Sequence, residues 1–178
     1  MAGVQVTLYD DNTGAAAVVS GLTNPMNTDA NGDYSFEDLP VGGYYLVFSN
    51  PGYEVSVGGA DCDIDVNETT FLTYTLSAGQ SITNVDAGYF LFGTVGDYVW
   101  VDEDADGLQN DPDGLDGIDV SLDGTDGLGN TVSMSTTTSG GGAYQFDDVP
   151  PGAAYVVTFS NNLPDYNYTY FEVGGATN

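Results

Sequence analysis

Between Asp102 and Asp113 the chain reads Asp-Glu-Asp-Ala-Asp-Gly-Leu-Gln-Asn-Asp-Pro-Asp, and the residues able to do chemistry are concentrated there. Carboxylates at positions 1, 3, 5 and 12 with glycine at 6 have the spacing of a loop that wraps a hard divalent cation, Ca2+, in oxygen. In that reading Asp102, Asp104 and Asp106 turn their oxygens inward and Gly107 permits the sharp turn. The backbone carbonyl of Leu108 serves at position 7, and Asp113 closes the shell. Aspartate at the last place is shorter than the usual glutamate, so Asp111 and Asp116 are further candidate ligands. The alternative is a solvated acidic turn, against which stands the repulsion of carboxylates converging without a cation.

Three weaker clusters accompany it. Asp29, Asn31 and Asp33 surround an Asn-Gly pair, which reads as a hairpin turn first and an ion site second. Asp61, Asp63 and Asp65 alternate so as to share one strand face, a solvated outer face by default and a second ion site otherwise. The run from Asp123 through Asp126 to Gly127 reads as a plain loop.

These carboxylates have no partner in the sequence. There are 22 aspartates and five glutamates but no lysine, arginine or histidine, for a formal charge of −27. That excludes a Ser-His-Asp or Cys-His arrangement, a lysine Schiff base, an arginine clamp on phosphate and a histidine metal ligand. Nucleic acid and anionic membranes are excluded as partners, because binding either depends on basic side chains. A content of 41% hydrophobic and 12% aromatic residues is that of a folded chain rather than an acidic tail. No apolar run is long enough to span a membrane, and no basic leader precedes an apolar stretch at the start. Cys62 is the single cysteine, an inert buried thiol or the site of an intermolecular bridge. Asn67 and Asn167 each head a formal glycosylation acceptor.

The elements that must position the acidic loop belong to an internal repeat. Gly3-Val4-Gln5-Val6-Thr7-Leu8 returns as Gly117-Ile118-Asp119-Val120-Ser121-Leu122. The segment from Gly32-Asp33-Tyr34-Ser35-Phe36 to Pro40 returns from Gly142-Ala143-Tyr144-Gln145-Phe146 to Pro150. Val47-Phe48-Ser49-Asn50 returns as Thr158-Phe159-Ser160-Asn161, and residues 57–60 return at 173–176. Within each copy the apolar period is two, as in Val4, Val6 and Leu8 or Tyr44, Leu46 and Phe48. Asn31-Gly32, Asp106-Gly107, Pro51-Gly52 and Pro151-Gly152 punctuate the runs. The fold class predicted is all-β: two tandem immunoglobulin-like or prealbumin-like β-sandwiches, over residues 1–92 and 93–178. Trp100 and the tyrosines read as packing residues rather than a sugar platform, because they keep strand register.

Each copy is expected to be incomplete. The second opens with a strand at 96–101 and the acidic loop, which the first lacks, whereas the first closes with strands at 71–76 and 82–90 that have no counterpart in the second. Open edges of this kind must be covered. Either the chain is an excerpt of a longer tandem array, or neighbouring copies complete one another by strand addition to form a fibre.

The string GDYVWVDEDADGLQNDPDGLDGIDVSL, with the Asn-Gly-x-Tyr-x-Phe turn and Asp-x-Pro-x-Gly, closely resembles the B-repeat of the serine-aspartate repeat surface proteins, over nearly all of the chain. The resemblance implies calcium-stabilised sandwiches related to collagen-adhesin B-type domains, set in extracellular stalks, with Asp102, Asp104, Asp106 and Asp113 as ion ligands. A lysine–asparagine isopeptide bond of the kind found in such domains is impossible without lysine, and Leu163-Pro164-Asp165-Tyr166 departs from a sortase signal after two residues. The expected function is a calcium-stabilised extracellular structural module, forming a stalk or a self-assembling fibre with its own copies or adjacent repeats. The alternative is an adhesin-type binding module for carbohydrate or a host protein. An enzyme is not expected, since acids placed at turns between short strands form no cleft.

Overall fold

Val4, Val6 and Leu8 are buried while the residues between them are not, and that alternation becomes strand β1 (Gln5–Asp10) of the first unit. In the computed structural model, which describes residues 1–50, 52–160 and 163–168, the chain is all-β. It divides into two compact units, Met1–Leu91 and Phe92–Asn178.

In unit 1, β1 is flanked on one side by the short strands β2 (Ala15–Ala16) and β3 (Met26–Asn27). On its other side runs β4 (Gly42–Ser49), antiparallel in the register Gln5↔Ser49 to Asp10↔Tyr44. A second small sheet is formed by β5 (Glu54–Val55) and, near the end of the unit, β7 (Tyr89–Phe90); β6 (Tyr74–Leu76) extends the main sheet beyond β4. The core is Val6, Leu8, Leu46, Phe48 and Ile64. On the opposite face of the main sheet Tyr9 and Tyr45 stack with ring centroids 5.0 Å apart.

Unit 2 consists of β8 (Gly93–Tyr98), β9 (Asp119–Asp126), β10 (Thr131–Thr137), β11 (Ala143–Val149) and β12 (Gly152–Ser160). Its sheets run β10-β9-β12 and β11-β8. Ile118, Val120 and Leu122 from the first sheet share one core with Phe146 and Val149 from the second, so the unit is a β-sandwich. β9 continues to Asp126, through a segment whose sequence reads as loop. Gly124 permits this, since a Cβ there would stand 2.6 Å from the Tyr155 ring and 3.1 Å from the Ala154 carbonyl of the paired strand.

The two copies of the repeat differ where one lacks a neighbour. Residues 143–149 form β11 because β8 pairs with them, in the register Ala143↔Tyr98 to Phe146↔Val95. Residues 33–39 keep the same alternation of burial, and Asp38 holds a φ of 55° where Asp148 holds 54°. Tyr34 meets Phe48 edge-on at 5.5 Å and 85°, as Tyr144 meets Phe159 at 5.4 Å and 85°. Yet, among the described residues, 33–39 join no ladder. The strands expected at 71–76 and 82–90 are likewise short, reduced to β6 and β7. Phe71 and Leu72 are exposed, because residues 63–71 form an arch closed by Phe71 N–H to Asp63 C=O and by an aspartate turn at Asp65. The repeat at residues 173–176, Asn161, Pro51 and the acceptor residue Thr169 lie outside the described residues.

Leu122 is fully buried between the sheets, so Leu122→Ala should cost about 3 kcal/mol in urea unfolding of unit 2. Phe71→Ala, at an exposed position, should stay within about 0.5 kcal/mol. Burial, then the charges of Asp86 and Glu68 respectively, push the phenols of Tyr34 and Tyr89 well above their ordinary value of 10. The fold therefore holds these groups neutral while the unfolded chain ionises them. Stability should be level up to that pH and fall above it, and Tyr34→Phe should remove part of the fall in an alkaline melting series.

Candidate metal centre

The acidic loop is pinned at both ends. Val99 N–H donates to Gly142 C=O, Leu115 N–H to Val99 C=O and Val101 N–H to Asp113 C=O, each at 2.8 Å, and Trp100 bridges Gly114. Between these ends the backbone curls around its own carboxylates. Asp102 accepts Asp106 N–H at 3.1 Å on Oδ1 and Gly107 N–H at 3.0 Å on Oδ2. Asp104 accepts Asp106 N–H at 3.3 Å, and Asp106 accepts Leu108 N–H at 2.7 Å. Gly107 has a φ of 75°, the left-handed turn that its place in the loop requires.

This curl brings one carboxylate oxygen each from Asp102, Asp104 and Asp106 within 4.8 Å of one another. Oxygens bound to calcium at about 2.3–2.6 Å lie no further apart than about 5 Å, so the three fit one ion. Asp102 is half-buried and the others exposed, leaving room for further oxygen ligands from water.

The other predicted ligands have different surroundings. The carbonyl of Leu108 accepts Asn110 N–H at 2.9 Å. Asp111 accepts Glu103 N–H at 3.0 Å and so ties the two limbs of the loop together. Asp113 contributes its backbone carbonyl to the pinned end, and its carboxylate is outside the triad. Asp116 Oδ1 accepts Gly141 N–H at 2.8 Å and Gly142 N–H at 2.6 Å, bracing the glycine turn that pairs with Val99. Trp100 Nε1, at the entrance to the loop, is buried with no hydrogen-bond acceptor among the described residues.

The weaker clusters are turns built on a single aspartate. Asp29 accepts Asn31 N–H at 2.8 Å and Asp33 N–H at 3.0 Å, which hold its carboxyl below its ordinary value. Asp65 accepts the Asn67 side-chain amide at 3.1 Å, with Asn67 N–H and Thr69 N–H, and is lowered in the same way. Asp63 accepts Asp86 N–H at 2.8 Å, and Asp61 sits at an exposed turn. Asp61, Asp63 and Asp65 flank a lone bridge at Ile64 rather than lining a strand, and form no metal-holding group among the described residues. Asp126, at the end of β9 in the run whose sequence reads as a plain loop, repeats the Asp65 arrangement with Leu128 and Asn130. The common signal is an aspartate followed at two and four residues by amide donors. Cys62 is free and half-buried.

Residues 93–178, which contain this loop, match the SdrD B-like domain family. The second unit is an SdrD B-like domain. Residues 1–87 match a different family, the carboxypeptidase regulatory-like domain, although the repeat relates the two units. The string that carries the B-repeat resemblance starts at Gly96 and runs through the acidic loop, and unit 1 contains neither. Among relatives, the chain is 36% identical over 163 residues to serine-aspartate repeat-containing protein F of Staphylococcus epidermidis, covering 89% of this chain and 9% of that protein. It is 31% identical over 181 residues to serine-aspartate repeat-containing protein D of Staphylococcus aureus strain Newman, covering 99% and 13%. It is also 32% identical over 139 residues to colossin-A of Dictyostelium discoideum, covering 78% and 1%. The chain thus spans about a tenth of the length of the serine-aspartate repeat proteins it matches. No solved structure matches it.

Bracing and candidate ligation fall on different residues of this loop, and two substitutions can tell them apart. Asp116→Ala removes the acceptor for Gly141 and Gly142 and should cost about 1 kcal/mol equally in calcium and in chelator. Asp104→Asn, which leaves the loop ends pinned, should change stability in calcium only. Chemical denaturation of both variants under both conditions checks this.

Proposed function

We propose that this chain is a calcium-clamped structural module of an extracellular surface assembly, a stretch of stalk or fibre built with its own copies or adjacent tandem repeats. The observation that carries the reading is the convergence of Asp102, Asp104 and Asp106 on one point of a loop whose ends are sewn to the glycine turn at 140–142. An ion there braces the loop that leads from β8 in one sheet of unit 2 to β9 in the other, and neutralises part of a charge of −27. The serine-aspartate repeat relatives, each many times longer, support a place within a larger surface protein. No catalytic group is assigned, and the acidic residues act as turn formers and ion ligands. Calcium in the extracellular range keeps such a site filled, and solubility follows from the charge.

Calcium bound only by the folded state adds about 2.7 kcal/mol at a hundred times its Kd. For a domain of this size that raises the melting temperature by roughly 10–20 °C. In differential scanning calorimetry the transition of unit 2 should move by this amount between calcium and EDTA, while that of unit 1 stays in place. Coincident traces would remove the basis for the proposal.

A further inference from the structure

Tyr9 and Tyr45 stand directly opposite one another on β1 and β4, on the face of the main sheet turned away from the core. Their rings stack with centroids 5.0 Å apart and planes 9° from parallel, whereas Tyr34 and Tyr144 each meet phenylalanines edge-on. The fold does not require this pair. In unit 2 the corresponding positions, directly opposite on β9 and β12, hold Asp123 and Val156. Tyr34, Tyr44 and Tyr89 donate their hydroxyl hydrogens to Val85 C=O, Pro40 C=O and the Glu68 carboxylate. Among the described residues, the hydroxyls of Tyr9 and Tyr45 donate to nothing, and both side chains are partly exposed. A chain with no lysine and one cysteine can form neither a lysine isopeptide bond nor an internal disulfide, and two stacked phenols offer another way to join strands.

We propose that Tyr9 and Tyr45 are a modification site, oxidatively coupled to an intramolecular dityrosine that locks β1 to β4. The co-reactant is hydrogen peroxide, acting through a haem peroxidase. Each phenol gives up one electron and its O–H proton, leaving a phenoxyl radical. The two radicals join through the ring carbons beside their oxygens, and the hydrogen on each joined carbon moves to its oxygen to restore the phenol. Peroxide takes up the two electrons and two protons and leaves as two waters, so the chain loses two hydrogen atoms. Stacking prepares the step because the second radical forms in contact with the first. Cβ atoms opposite one another across antiparallel strands are about 4.5–5.5 Å apart, so the rings can turn to join while the strands keep their register. The link closes the loop over residues 9–45, which includes β2 and β3, and restricts the unfolded chain more than the folded one. It rests neither on the ion nor on neighbouring repeats.

The test oxidises the dilute full chain with peroxide and a haem peroxidase and isolates the monomer. Its cross-links are mapped by mass spectrometry after cleavage at acidic residues, since trypsin has no site here. The expected product is a monomer two hydrogens lighter, with dityrosine fluorescence and a link between Tyr9 and Tyr45. Its unit 1 transition should rise by roughly 15–25 °C in calorimetry. Tyr45→Phe keeps the ring but removes the hydroxyl, and should abolish both the monomer link and the rise. Cross-links confined to dimers, or to the exposed Tyr53, Tyr166 and Tyr168, would overturn the site. So would an equal yield of linked monomer from Tyr45→Phe. A Tyr9–Tyr45 link that left the transition in place would overturn the lock.

Discussion

The disposition of charge in this structure follows from the absence of a basic side chain. Twenty-seven carboxylates fold without one lysine, arginine or histidine, so each must find its compensation in water, in backbone amides or in an ion from solution. Backbone amides take up several of them. Asp10, Asp29, Asp65 and Asp126 each collect amide donors from the next few residues, and in doing so make the turns between strands. Asp116 does the same across a longer distance. Among the described residues, one group of three carboxylates converges, Asp102, Asp104 and Asp106 in the loop after β8. That is the place where the charge is left for a cation to neutralise.

The comparison of the two units adds a second constraint, that an extended segment becomes a strand only when something lies beside it. Residues 34–39 carry the aromatic alternation, the left-handed aspartate and the edge-to-face ring contact of β11, yet join no ladder among the described residues. The information for the strand is local, whereas in unit 2 its realisation comes with β8 beside it. Phe36 and Leu39 pay the difference in exposure.

Much of this was legible in the sequence. The period of two at Val4, Val6 and Leu8 and at Ile118, Val120 and Leu122 located the central strands, because a half-buried strand cannot be written otherwise. The convergence of Asp102, Asp104 and Asp106 was legible because their spacing is tied to a turn that Gly107 makes possible. Residues 82–88 were not: their apolar content reads as strand, but they lack a continuous partner. The alternation of Asp61, Asp63 and Asp65 misleads for a related reason, since Asp65 turns the chain to reach Asn67 and Thr69 instead of continuing a ladder. The role of Asp116 depends on its distance in space from Gly141, which no local pattern encodes.

The central claim is that one site on the SdrD B-like domain, and not diffuse charge screening, takes up the cation. Calorimetric titration of calcium into the metal-free chain tests it most directly. The account predicts one saturable site per chain, abolished when Asp104 and Asp106 are both changed to asparagine. Weak, unsaturating uptake that the double variant leaves intact would contradict it.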